Sequence, residues 1–339
     1  MKPITLKDLS KYLSLSTSTI SRALLHDKNI NAATKKRVLE AAESLGYKPN
    51  TTALNLRYGK TKCIGFVVPE MVTPFSASVL KGVQRFLNET GYKVIILESD
   101  ENPQNERENL LLLEQFNVDG IILNLCHETY NEHLYEQIME RGTPIVFFDR
   151  IPGKSLNVSK VIVNDHIQAS LMVEHLISNG NNRIAHLMGP ATVRNATERA
   201  MGYQRILFKH GIFDPALMIQ TDGTTFEHGK RAVMELLKKE IAFDSIFAFT
   251  DTLAIGAMNY LLEQNIRVPD AVSICSFSGT ALSSSVFPPI SSVEQPLQEM
   301  GVAAAQLVME QIIDRDSERK TIILDAKINY RGSTNRRQH

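Results

Sequence analysis

The stretch Thr17-Ser18-Thr19-Ile20-Ser21-Arg22-Ala23-Leu24 decides how the head of the chain folds. Ser16 precedes it as an N-cap, its hydroxyl placed to accept a hydrogen bond from a first-turn amide, and the helix is expected to run to about Leu25. Ile20, Ala23 and Leu24 recur at i, i+3 and i+4 and form one apolar stripe, while Thr17, Ser18, Ser21 and Arg22 are expected elsewhere on the surface. The outward face is small, polar and cationic.

Upstream, Thr5-Leu6-Lys7-Asp8 has the form of a capping box. Leu6, Leu9 and Leu13 line one face of the helix it opens, and small Ser10 lets a second helix cross closely. Ser14-Leu15-Ser16 is the turn, with Leu15 plugging the gap between helices. A third helix from about Ala32 to Leu45 adds Val38, Ala41, Ala42 and Leu45, and Gly46 caps its end. This is a helix-turn-helix pattern, in which the second helix enters the major groove of DNA.

Charge is partitioned to match. The chain holds 37 Lys and Arg against 37 Asp and Glu, yet residues 1–60 carry 11 basic against 4 acidic side chains. A head at +7 on a body at −7 is expected to meet phosphates through the head alone. A merely solvated surface would explain the excess but not the helix pattern beneath it.

At 339 residues, 43% apolar and 22% charged, the chain suits a soluble protein of two or three domains. Cys63, Cys126 and Cys275 are isolated in apolar runs and read as buried free thiols. The first residues lack the apolar core of a signal peptide and no apolar run could span a membrane, so a cytoplasmic protein is expected. Catalytic and cofactor motifs fail on inspection. Gly59-Lys60-Thr61 would need a glycine where Leu54 stands to form a phosphate loop, and His127-Glu128 has no second histidine at zinc-site spacing. Ser283, Ser284 and Ser285 lack a G-x-S-x-G frame, and no G-x-G-x-x-G turn occurs. No catalytic residue, metal or cofactor is expected.

From Cys63 onward, apolar strand runs alternate with amphipathic helices. Strands over 64–68, 94–97, 120–125 and 145–148 are followed by a second series over 161–163, 184–188, 218–220, 246–249 and 272–276. The alternation predicts two α/β lobes with mostly parallel sheets. Between head and body, Pro49-Asn50 breaks the chain, and Thr51 to Arg57 is either a plain linker or a helix too short to be stable alone.

The stretches MKPITLKDLSKYL (1–13), STSTISRAL (16–24) and LGYKPNTTALNLRYGKT (45–61) resemble the head of the LacI/GalR family of bacterial transcriptional regulators, and similar stretches continue to the last strand. The resemblance implies a DNA-binding domain over 1–48, a hinge helix within 49–60, and an effector-binding and dimerisation domain over 61–339 built like a periplasmic binding protein. Lobe 1 would take about 61–160 and 292–339, and lobe 2 about 161–291. Ile290 to Gln295, the helix Leu297 to Ile313 and a final strand Thr321 to Tyr330 would return to the first lobe, allowing hinge closure.

In such regulators a homodimer binds a pseudo-palindromic operator. Carried over by position, the DNA contacts are Thr5, Ser16, Thr17, Ser18, Thr19, Ser21, Arg22, Asn29 and Thr34, then Asn50, Ala53 and Leu56 in the hinge, where Leu56 matches the leucine that wedges into the minor groove. Arg22 either reads a base edge or only holds phosphate. The tail beyond Arg331-Gly332-Ser333 lacks the leucine heptads of a tetramer, so assembly is expected to stop at the dimer.

Ligands of α/β lobes lie beyond the carboxyl ends of strands, which singles out Phe75, Ser76, Asp149, Arg199, Thr250, Asp251 and Ser278. The resemblance supports Asp149, Arg199 and Thr250. Each has a second reading: Phe75 as core, Asp149 as a loop cap, Arg199 as half of a surface ion pair with Glu198, and Asp251 as N-cap of a helix from Thr252 to Glu263. Ser276-Phe277-Ser278-Gly279 stands where the family commonly carries Gly-Phe-Asp-Asp. With that aspartate gone and Arg199 kept, a sugar acid or sugar phosphate is expected over a neutral sugar. Two other classes share parts of the pattern: a solute-binding protein would begin with a signal peptide, and a sugar-metabolising enzyme with an appended head would turn its sugar over.

Overall fold

The computed structural model describes residues 4–25, 27–47, 60–153 and 155–335. The expected hinge contacts Asn50, Ala53 and Leu56 lie outside the described residues. Two compact units divide the chain, Met1–Thr61 and Lys62–His339.

The head holds α1 (Leu6–Leu13), α2 (Thr17–Leu24) and α3 (Ala32–Ser44). Thr5 and Asp8 close a capping box: Asp8 N donates to Thr5 Oγ1 at 3.3 Å and Thr5 N donates to Asp8 Oδ2 at 2.9 Å. Ser14 ends α1 at φ 54°, a left-handed conformation glycine adopts at less cost. Ser10 Oγ donates to the Leu15 carbonyl at 2.6 Å and so ties the turn to the first helix. Leu9, Ile20, Ala23 and Val38 are fully buried, with Leu15 and Leu45 packed against them. Ser21 departs from expectation, because it is buried rather than surface-facing. α2 packs against both α1 and α3, so its buried face is wider than the Ile20, Ala23, Leu24 stripe and takes in this small side chain.

The body carries two six-stranded sheets. Its elements run β1 (Cys63–Val68), α4 (Pro74–Leu87), β2 (Lys93–Glu98), α5 (Pro103–Gln115), β3 (Gly120–Leu123), α6 (Glu132–Glu140), β4 (Ile145–Phe148) and β5 (Ser159–Val163). Then come α7 (Asp165–Ser178), β6 (Ile184–Leu187), α8 (Arg194–Lys209), β7 (Met218–Ile219), α9 (Phe226–Lys238), β8 (Ser245–Ala248), α10 (Asp251–Glu263) and β9 (Ser273–Ser278). The chain continues with α11 (Ala281–Ser285), β10 (Ser291–Glu294), α12 (Leu297–Ile313), β11 (Thr321–Leu324) and β12 (Lys327–Asn329).

The first sheet runs β11-β5-β4-β3-β1-β2, with every pair parallel. The second runs β12-β10-β9-β8-β6-β7 and is parallel except where β12 meets β10. Strands such as Ile145–Phe148 and Ser245–Ala248 are buried along their whole length, as parallel strands covered by helices on both faces must be.

Strand order corrects three expectations. β5 pairs with β4 and closes the first sheet instead of opening the second lobe. β10 stays in the second sheet beside β9, although α12 after it does pack on α4 and the first sheet. The expected last strand divides, β11 joining the first sheet and β12 the second. The chain thus crosses between lobes at Asn164, at residues 295–296 and at residues 325–326. Such crossings can bend as a hinge.

In lobe 2, α9 and α10 cross at a reciprocal pair of glycines. A Cβ on Gly229 would overlap the Leu253 carbonyl oxygen, and one on Gly256 would overlap that of Phe226. Backbone lies against backbone there, which fixes how α10 presents its N-terminus below the strand ends. Among the described residues no helix is long and apolar enough to cross a membrane. Cys126 and Cys275 are buried free thiols as expected, whereas Cys63 is only half-buried.

Candidate functional sites

On the head, Ser16 Oγ accepts from Thr19 N at 3.1 Å and lies 2.8 Å from the hydroxyls of both Ser18 and Thr19. This hydroxyl cluster opens α2. Thr17, Ser18 and Arg22 are exposed, and the Arg22 side chain lies 4.0 Å from Asp27 at the far end of the helix. Thr5 and Asn29 are also exposed, although the Thr5 hydroxyl is engaged by Asp8 at 2.6 Å; Thr34 is half-buried. α2 therefore offers hydroxyls at its N-terminus and a guanidinium near its C-terminus on one accessible face. That set can hydrogen-bond both phosphates and major-groove base edges.

In the body, all seven strand-end candidates line one cavity between the lobes, about 580 Å³ including its open mouth. Phe75 and Ser76 enter from the start of α4, Asp149 from the end of β4, Arg199 from α8, Thr250 and Asp251 from the start of α10, and Ser278 from the end of β9. Asp149 and Ser278 hold left-handed φ values of 56° and 107°. Such conformations occur at turns and helix ends, as at Ser14, and also where a side chain is held in a binding site.

Arg199 is nearly inaccessible at 1% exposure, and its bonds explain why a guanidinium can be buried there. Nε donates to Asp165 Oδ1 at 2.7 Å, Nη1 donates to the Phe249 carbonyl at 2.7 Å, and Nη2 stands 3.9 Å from Asp149 Oδ1. The Phe277 ring lies 3.6 Å from the guanidinium carbon and the Phe249 ring 4.5 Å, a cation–π sandwich that fixes its plane. The surface pair with Glu198 is not made; Glu198 pairs with Arg194 at 3.5 Å. Burial raises the pKa of Asp149, against the lowering effect of the Arg199 and Arg150 guanidinium groups.

Asp251 corrects its second reading. Thr250, not Asp251, caps α10, its hydroxyl accepting from Leu253 N at 3.4 Å. The Asp251 carboxylate instead accepts from Ser276 Oγ at 2.6 Å, Ser292 Oγ at 3.0 Å, Thr280 N at 2.6 Å and Thr280 Oγ1 at 2.8 Å. Both oxygens are occupied, so Asp251 ties the start of α10 to β9, β10 and the loop before α11. Phe75 is half-buried, one part packed on the core and the other facing the cavity.

Several wall residues escaped the sequence reading. Asn124 and Arg150 follow strands β3 and β4 directly, so the same strand-end rule could have found them. Asn195 sits one turn before Arg199 and donates to Asp149 Oδ2 at 3.3 Å. Gln295 lies on an interlobe crossing, and Glu101 holds Arg150 through two hydrogen bonds of 2.6 and 2.8 Å. Nothing in the local sequence marked these last three.

These contacts bear on the expectation of an anionic ligand. Arg199 is met by Asp165 and Asp149, Arg150 by Glu101, and Glu70 on the same wall accepts from Thr73 N at 2.7 Å. No positive charge is left over for an acid or phosphate. What the wall does leave unmet is hydrogen bonding: Ser76 Oγ, Asn124 Oδ1, Asp149 Oδ1, Asn195 Oδ1 and Gln295 Oε1 are buried without a partner in the protein. Each unmet group costs about 1–3 kcal/mol, which favours a polar occupant.

Comparison with known proteins identifies the family of both units. Residues 5–50 match the family described as "Bacterial regulatory proteins, lacI family", and residues 61–333 match "Periplasmic binding proteins and sugar binding domain of LacI family". The chain is 30% identical over 340 residues to the HTH-type transcriptional repressor PurR of Aliivibrio fischeri (strain ATCC 700601 / ES114), covering 98% of this chain and 99% of that protein. It resembles the transcriptional regulator CelR-cellobiose complex at 26% identity and a TM-score of 0.74, over 97% of this chain and 99% of that one. The lac repressor dimer bound to operator and the anti-inducer ONPF shares the fold, with a TM-score of 0.86 at 21% identity over 98% and 99% of the two chains. The chain belongs to the LacI family of bacterial regulatory proteins, as a DNA-binding transcriptional regulator and not an enzyme.

Proposed function

We propose that the protein is a repressor that binds a pseudo-palindromic operator as a homodimer and is controlled by a neutral carbohydrate held between its lobes. The observation that carries the effector reading is the pairing of an orphaned acceptor with spare donors. Asp149 Oδ1 accepts no hydrogen bond, its ion-pair contact with Arg199 Nη2 being 3.9 Å long, and Arg199 makes hydrogen bonds through only Nε and Nη1. A hydroxyl can donate to the first and accept from the second; an ionised carboxylate or fully ionised phosphate group in that place can only accept, and an ammonium can only donate. Phe75 offers an apolar surface to the ring of the same ligand, and Ser76, Thr250 and Ser278 offer hydroxyls around it. The similar structures support the reading, since one is a regulator in complex with cellobiose and another is a repressor dimer on operator DNA. The domain boundaries at about residues 48 and 60 and the Leu56 wedge belong to the same proposal.

The test is operator binding in the presence of neutral sugars, with DNA fragments taken from a genome-wide footprint of the protein. At least one neutral sugar should bind the purified protein and shift its operator affinity. Binding only of sugar acids or phosphates would overturn the reading.

For the head, Arg22→Ala should relax operator choice, losing on the order of 1–3 kcal/mol of discrimination at one base position. Lys36→Ala, on the exposed side of α3, should weaken specific and non-specific DNA alike and lower the salt dependence. Competition binding with single-base operator variants separates the two. Equal weakening by Arg22→Ala at unchanged base preference would reduce Arg22 to a phosphate contact.

A further inference from the structure

We infer that Asp165 sets the charge class of effector that the cleft accepts, acting through Arg199 without touching the ligand. This rests on the effector reading above and deepens it. Asp165 does not line the cleft. It lines a second cavity at the hinge, together with His166, Arg194 and Glu198, and the two cavities share the wall formed by Asp149 and Asn195. From there its Oδ1 accepts from Arg199 Nε at 2.7 Å, while Asp149 Oδ1 stands 3.9 Å from Nη2.

The charge balance then decides the ligand. Asp149 and Asp165 are 8% exposed each and Arg199 1%, so solvent screens none of them well. One buried guanidinium stands between two carboxylates, and the group is net negative whenever both acids are ionised. The titratable and charged groups around Asp165 are His166 beside it on α7, Arg199, Glu198 and Arg194 from α8, and Asp149 from the end of β4. Arg194 is paired with Glu198, so it does not restore the balance. Without Asp165, Arg199 would be matched by Asp149 alone, and an anion placed in the cleft would no longer meet a surplus carboxylate. Asp165 also opens α7 immediately after the crossing at Asn164, so the residue that sets the charge of the cleft moves with the hinge.

Burial, set against the opposing pull of Arg199, pushes the Asp165 pKa up to about 6. This gives a readout that a structural role would not move. Inorganic sulfate is a suitable probe because its charge is constant from pH 5 to pH 8, and anion sites on the basic head are common to all variants. In calorimetry on the full chain at pH 7.5, Asp165→Asn should bind sulfate about tenfold more tightly than the natural protein, the effect of removing one nearby charge. As the pH falls through about 6, Asp165 takes up its proton, and the ratio between the two proteins should shrink toward one by pH 5. Asp165→Glu should behave as the natural protein does. Should the amide variant fail to fold, Asp165→Ser serves in its place. A ratio that does not change with pH, or no gain of sulfate binding on removal of the carboxylate, overturns the inference. Neutral hexoses are titrated on the same samples. Failure of all of them to bind the natural protein overturns the carbohydrate reading, while the sulfate ratio still decides Asp165 on its own.

Discussion

Arg199→Ala should destabilise the body by about 3–5 kcal/mol, the usual cost of removing one partner from a buried ion pair. The variant leaves Asp149 and Asp165 facing a low-dielectric gap with no cation, and strips the Phe277 and Phe249 rings of the group they sandwich. The double variant Arg199→Ala with Asp165→Asn should recover part of that loss, because the orphaned charge is removed with its partner. Chemical denaturation of the three proteins measures both effects. A double variant no more stable than Arg199→Ala alone would show that the lost stability is packing and not charge.

Gly256→Ala should be nearly as damaging, at about 3 kcal/mol or more. Helix propensity alone would favour alanine by about 1 kcal/mol in the middle of α10. Here the new methyl group meets the Phe226 carbonyl oxygen, a backbone atom of α9 that cannot rotate aside. The helices must separate along their contact, and the N-terminus of α10, with Thr250 as its cap and Asp251 in its first turn, moves with them. Both a lower melting temperature and weaker effector binding are expected. An unchanged or raised melting temperature would mean that the α9–α10 contact is looser than described.

Much of this architecture was legible in the residues themselves, because the features concerned are local. The Thr5 and Asp8 capping box, the Ser16 cap and the Leu9, Ile20, Val38 core depend on contacts a few residues apart or on one helical period. Pro74 and Pro103 open α4 and α5 outside the apolar periodicity, at the first helical turn that proline suits. Sheet membership was not legible. A run such as Ser159–Val163 declares a strand, but nothing in it states which neighbouring strand it will meet. The division of residues 321–330 between two sheets is lost for the same reason.

At the cleft, the strand-end rule placed Phe75, Asp149, Thr250 and Ser278 on one wall. It failed where function depends on a partner distant in sequence. Arg199 was legible as a cation in the cleft, but Asp165 lies 34 residues earlier, and only the fold puts them 2.7 Å apart. That single contact gives the Arg199 guanidinium a carboxylate partner, and the proposal of a neutral ligand rests on it. Ser21 failed differently: its exposure depended on how many helices pack around α2, which one helix's periodicity does not report.

The central claim is that a ligand in the interlobe cleft and operator DNA on the head bias the same equilibrium. Linkage makes this testable in both directions, since the factor by which ligand changes operator affinity must equal the factor by which operator changes ligand affinity. The direct measurement is a pair of titrations on the full-length protein, operator binding with and without saturating neutral sugar and sugar binding with and without saturating operator. The account predicts the same factor from both, commonly about 5–150-fold for such couplings, and its loss when Asp149→Ala removes the acceptor. A sugar that binds the cleft tightly yet leaves operator affinity unchanged would contradict it.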